Sequence, residues 1–165
     1  MNKKKQSVLL YDHNIEKSSC GVGFITRKDS KQTHELLIKA HEALCSVPHR
    51  GGMSSEGIGD GAGISIDLSV DFFSKITNKT LKFGEFVVGN FFIPKNTANK
   101  VIANNLIIKT LENSSFKLIK SRDVPVNKSV LNKTSKSSQL IIKQFIFSIQ
   151  NINDKNIDKA IHQCL

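Results

Sequence analysis

Cys20 opens the run Cys-Gly-Val-Gly-Phe-Ile, with glycine at 21 and again at 23. On residue types alone two readings stand. Free cysteines are often simply buried as small hydrophobes. A reactive thiol, by contrast, gains from neighbouring glycines, which let backbone and substrate approach closely. His41 and Cys45 lie four residues apart, so a helix would bring them together. A zinc site would need a second pair at matching spacing, and the plainer reading makes Cys45 a small hydrophobe and His41 a near-surface residue. Gly57, Gly59 and Ala62 satisfy the dinucleotide pattern G-x-G-x-x-G/A. That fingerprint follows a strand and opens a helix, which holds phosphate at its N-terminus. Here the run leads into the strand-like Ala62–Asp67, and no Gly-Lys-Ser/Thr follows. It reads as a loop, either a plain turn or one packed around an active site.

The elements that would position these residues follow from periodicity. Residues 20–26 alternate and read as a short buried strand beginning at Cys20. Ser30 is the expected N-cap of a helix over 31–46, with Leu37, Ala40, Leu44 and Val47 as its apolar stripe and Pro48 ending it. The glycine-rich stretch 49–63 reads as loop and 62–67 as strand. A short helix is expected around 69–76, a strand fully buried on both faces at 84–94, and a longer helix at 97–113. Further strands are expected at 116–120 and 139–149, and a last helix at 154–163. Strands and helices in mixed order, without regular βαβ alternation, point to an α+β layered fold.

Composition narrows the function classes. The 165 residues are 39% hydrophobic and 23% charged, as in a globular chain. The net charge is +10, yet arginine occurs only at 27, 50 and 122. The lysines are scattered rather than blocked, apart from Lys3-Lys4-Lys5. A nucleic-acid binder would gather basic residues on one face with arginine prominent, so the pattern argues against nucleic acid as the partner. Three widely spaced cysteines with no C-x-x-C argue against a disulfide framework and against a metal site. A secretory signal needs an apolar run of about 7–15 residues, and the N-terminal one spans only Val8 to Tyr11. No stretch approaches the about 20 apolar residues of a membrane span. A cytoplasmic location is expected, or the plastid stroma for a chain of plastid origin.

The ordered set of motifs says more than any one of them. "LLYDHNIEKSSCGVGFI", then "HRGG", then "GDGAGI", then Phe72-Phe73, "FGEFVVGNFFIPKN" and "SRDVPVNKSVL" together resemble the start of the glutamate synthase large subunit, over about residues 9 to 150. The resemblance implies a class II glutamine amidotransferase domain of the N-terminal-nucleophile hydrolase kind, an αββα four-layer sandwich. Such a domain hydrolyses glutamine to glutamate and ammonia. In a complete glutamate synthase the ammonia passes to 2-oxoglutarate on a domain bearing FMN and an iron–sulfur cluster; neither cofactor is expected in this chain.

The resemblance also assigns residues. Cys20 is the nucleophile, residues 1–19 are a leader to be removed, and 20–165 are the N-terminal part of the domain. An unperturbed thiol, with pKa about 8.5, is mostly protonated at neutral pH. If Cys20 became the first residue, its own α-amine, with pKa about 7.7–8.0, would accept the thiol proton. The His49-Arg50-Gly51 turn is placed beside the nucleophile, with Arg50 organising bound substrate through its fixed charge and fork of donors. A loop-pinning role for Arg50 is the alternative. The family's oxyanion hole lies in a His-Asn-Gly segment, and this sequence contains no Asn-Gly dipeptide. The family's Trp before Arg-Asp-Val-Pro is Ser121 here. The expected protein is therefore an N-terminal piece of a glutamate synthase, inactive and poorly soluble alone, whose partners are glutamine and the remainder of the synthase if encoded separately. The alternatives are a non-catalytic assembly subunit on the same scaffold and a basic nucleic-acid-binding module.

Overall fold

Order in this chain is built around "QFIF". Gln144, Phe145, Ile146 and Phe147 are consecutive and all buried. Successive strand side chains point to opposite faces, so such a run requires cover on both. A computed structural model describes residues 21–47, 59, 61–151 and 156–164. It divides between Ile66 and Asp67 into two units.

In the first unit the one helix among the described residues is α1 (His34–Cys45). Its N-cap is Thr33, whose Oγ1 accepts from Leu36 N at 3.3 Å. Ser30, the expected cap, instead closes a turn. Its N–H donates to Arg27 O at 3.2 Å and its φ is +54°. Arg27 donates through Nε and Nη2 to the two carboxylate oxygens of Asp29 at 2.8 and 2.7 Å. That bidentate pair fixes the turn before the helix can start, and it holds the Asp29 carboxyl below the usual carboxylate range. Residues 21–26 carry no strand pairing, and Val22 and Phe24 are exposed. The expected buried strand is therefore not formed at 21–26, which among the described residues have neither a ladder partner nor a covering layer. Residues 61–69 likewise form no strand. No α1 residue is fully buried, and Leu37, Ala40 and Leu44 of its expected apolar stripe are half-buried.

The second unit holds a three-stranded antiparallel sheet of β1 (Phe86–Ile93), β2 (Phe116–Asp123) and β3 (Ile141–Ile149), in the order β1-β3-β2. The strand in which four consecutive residues, 144–147, are buried is thus the central one. One face carries Phe86, Val88, Ile119 and Ile146, covered by Phe73 and Ile76 of α2 (Val70–Thr77) together with Leu81. Ser69 caps α2 by accepting from Phe72 N, and Asn78 ends it in the left-handed region. The other face carries Ile93, Phe116, Phe145 and Phe147. It is covered by Ala103, Ile107, Ile108 and Leu111 of α3 (Thr97–Asn113) and by Ala160 and Ile161 of α5 (Ile157–His162). A short 3-10 turn, Lys128–Val130, and α4 (Lys133–Ser138) connect β2 to β3; neither was legible from periodicity.

The α+β class holds. Among the described residues there is one sheet with helices on both faces, and the four-layer arrangement is not among the described elements. The chain's own helices pack on both faces of the sheet and leave part of the α2 face uncovered. β1 is also less buried than expected, with Phe92 66% exposed.

The stacked pair Phe145 and Phe147, centroids 6.2 Å apart, lies under α3 and α5. Phe145→Ala is expected to cost about 3–5 kcal/mol of unfolding free energy, since little around it can collapse. Phe83→Ala, at an exposed ring, should stay within about 0.5 kcal/mol. Denaturant titration of the two variants checks this; equal midpoints would remove Phe145 from the core.

Candidate functional site

Cys20, Arg50 and Gly51, the residues assigned to chemistry and substrate, lie outside the described residues, as do the leader 1–19 and Gly57. The segment directly after the nucleophile is within them. Gly21 to Ile25 are exposed, and a side chain added at Gly23 would meet nothing within 4 Å. Packing therefore does not demand glycine at 23, whereas close approach of another molecule beside Cys20 would use it. Gly61, at φ +92°, sits where an L side chain is strained, so that glycine is a backbone requirement. No helix begins directly after the glycine stretch: α2 starts at Val70, so the nucleotide pattern lacks its anion-binding half.

The His41–Cys45 pair does meet on α1. Cys45 Sγ lies 3.7 Å from His41 Nε2 and 3.9 Å from Nδ1. Cys45 is exposed, which corrects its reading as a packed small hydrophobe. Among the described residues no three side chains of His, Cys, Asp or Glu gather to hold a metal ion. Among the described residues no helix is long and apolar enough to cross a membrane.

The second unit contains a polar constellation that periodicity did not reveal. Leu118 opposes Phe147 while Lys120 opposes Ile146, so Ile119 is an extra residue on β2. A bulge of this kind re-aims the side chains beyond it. Without it, alternation would put Arg122 on the α3 face with Phe116 and Leu118. With it, Arg122 stands opposite Gln144 on the α2 face. Arg122 Nε donates to Gln144 Oε1 at 2.8 Å, and Gln144 Nε2 donates to Asn90 Oδ1 at 2.9 Å. The Arg122 guanidinium also lies 5.5 Å from the Phe72 ring centroid. Gln144 is only 8% exposed, and burial of an amide is tolerable because both ends of it are bonded. The sequence signal was the scarcity of arginine together with "SRDVP"; the bulge that gives Arg122 its direction left no trace in the pattern.

Comparison with known proteins resolves the class. The family model described as glutamine amidotransferases class-II matches residues 20–164. The chain belongs to the class II glutamine amidotransferases. It is similar to glutamate synthase [NADH] of Saccharomyces cerevisiae, 33% identical over 144 residues that cover 82% of this chain and 7% of the yeast protein. It is similar to ferredoxin-dependent glutamate synthase of Antithamnion sp., 32% identical over 89% of this chain and 10% of the relative. The chloroplastic ferredoxin-dependent enzyme of Spinacia oleracea is 30% identical over 97% of this chain and 10% of its own length. The chain thus spans a tenth or less of the length of these relatives.

Proposed function

We propose that this chain is part of the glutaminase domain of a glutamate synthase, with Cys20 as its nucleophile. The observation that carries the reading is that the family match begins at Cys20 itself. Removal of residues 1–19 gives Cys20 a free α-amine that takes the thiol proton. The thiolate adds to the side-chain amide carbon of glutamine. The tetrahedral intermediate expels ammonia, protonated by the α-ammonium, and leaves a thioester. Water then hydrolyses the thioester to glutamate and restores the thiol. Gly21 and Gly23 leave room beside the sulfur, and Arg50 with Gly51 organises the bound glutamine. The domain adopts the αββα sandwich of N-terminal-nucleophile hydrolases, a reading supported by the mixed helix and sheet of the described residues. Transfer of the ammonia to 2-oxoglutarate, with its FMN and iron–sulfur cluster, falls to polypeptide beyond this chain.

Mass spectrometry of the chain isolated with an active synthase tests this. The mature chain should start at Cys20, and 6-diazo-5-oxo-L-norleucine, an electrophilic glutamine analogue, should add to Cys20 and to neither Cys45 nor Cys164. A retained leader in active material, or labelling of Cys45 instead, overturns the reading.

A further inference from the structure

The α2 face of the sheet is covered only in part. Phe86, Val88 and Ile146 lie beneath α2. The next row, Asn90–Gln144–Arg122, meets α2 only through Phe72, and the Phe92–Ile142 row follows it along the sheet. There Asn90 is exposed, Phe92 is 66% exposed and Phe72 is 48% exposed. Arg122 is held on three sides: by its strand, by Gln144 at Nε and by the Phe72 ring. Among the described residues its two Nη groups have no partner. A guanidinium fixed this way is a pre-organised fork whose open edge matches a carboxylate.

We propose that this end of the sheet is an interface, and that its occupant is a polypeptide element bringing a carboxylate to Arg122 and an apolar side chain to Phe92. This deepens the glutamate synthase reading and rests on it for the source of the element: the polypeptide that the relatives carry outside the matched tenth of their length. Three observations select that occupant. The surface is an open sheet face, and the cleft around Asn113, Ser115, Lys159 and Gln163 lies at the other end of β2. A flat face of ring and guanidinium suits a packed element rather than an enclosed small molecule. A second copy of this chain is disfavoured, because a two-fold contact centred here sets Arg122 against Arg122 in a chain of net charge +10. And the bulge, the buried Gln144 and Asn90 all serve to aim one charged group outward, an arrangement that needs an opposite charge to be favourable once covered.

The test places the photo-cross-linker p-benzoylphenylalanine at position 92 of the full chain. The chain is co-expressed with the yeast relative's polypeptide lacking the 144 matched residues. Irradiation is expected to join position 92 to that polypeptide within a few residues of an Asp or Glu. Arg122→Glu should cut the yield at least about tenfold and Arg122→Lys by less, with unchanged circular dichroism; should Arg122→Glu unfold the chain, Arg122→Gln gives the reading. The same cross-linker at Val101, on α3, should give little product. Cross-linking to a second copy, to nucleic acid or to nothing overturns the proposal, as does a yield indifferent to Arg122. The readout is binding, so it is separate from the labelling of Cys20: either can fail while the other stands.

Discussion

Cys20→Ala abolishes ammonia release from glutamine in an assembled synthase containing this chain, while Cys45→Ala leaves it close to wild type. The expectation comes from the way a nucleophile and its base act as a unit. Removing the attacking atom of such a pair has cost on the order of 10⁶ in kcat in a well-dissected hydrolase. On the proposed mechanism the base is the amine of the same residue, and an alanine there leaves no atom to attack the amide carbon. Cys45 is the instructive control. Its sulfur has an imidazole at 3.7 Å and is exposed, which on local chemistry alone makes it the better-dressed thiol. What it lacks, on the proposed mechanism, is an α-amine freed by processing, and it has no glycines beside it. Retained activity in Cys20→Ala, or loss in Cys45→Ala, would reverse the assignment. An ammonia-coupled assay with both variants decides it.

Residues 20–165, expressed with Cys20 exposed, are expected to hydrolyse glutamine at least about 10²–10³-fold more slowly than a complete glutaminase domain. That factor is the usual loss for one missing oxyanion donor. The family resemblance puts the hole in a His-Asn-Gly segment, and the sequence has no Asn-Gly dipeptide. Thiolate formation is not the step that suffers, because the α-amine travels with the cysteine. The charge that develops on the amide oxygen is left to water, which must reorganise where fixed donors need not. The two steps separate experimentally: alkylation of Cys20 by iodoacetamide should be fast in residues 20–165 while ammonia release stays slow. Turnover within about tenfold of the complete domain would show that this chain supplies its own donors.

Much of the second unit was legible because its pattern is local. Ser69 before "VDFFSKI" and Asn96 before "TANKV" are side-chain caps in the structure, and they stand where helices were expected to begin. The strand at 141–149 was legible as a strand from its long apolar run, but the fully buried reading went to 84–94, and the central place of β3 emerged only from the strand order. The first unit was less legible. "CGVGFIT" has a strand's alternation, but alternation records only a preference, and a ladder needs a partner that periodicity does not name. Ser30 carried a cap's chemistry and lost that role to Thr33, because the Arg27–Asp29 pair had already turned the chain. The candidate site divided the same way. Cys20 and Arg50 were assigned through an ordered set of motifs and lie outside the described residues. Arg122 was passed over, because one extra residue in β2 decides which face it joins, and a bulge has no composition of its own.

The strand order also bears on how the chain is made. β3 lies between β1 and β2 but is the last of the three to leave the ribosome. Phe86 pairs opposite Ser148, so at about 5–20 residues per second the first strand waits roughly 3–12 s for its neighbour. Through that interval β1 and β2 have no strand between them to pair with, and "FVVGNFF" stands as an apolar segment with both edges open. Its safety then depends on α3, which follows it directly and can fold over it early, and on chaperones that bind short apolar stretches. Production of this protein should therefore respond more strongly to lowered temperature and slowed translation than to any change in its finished surface.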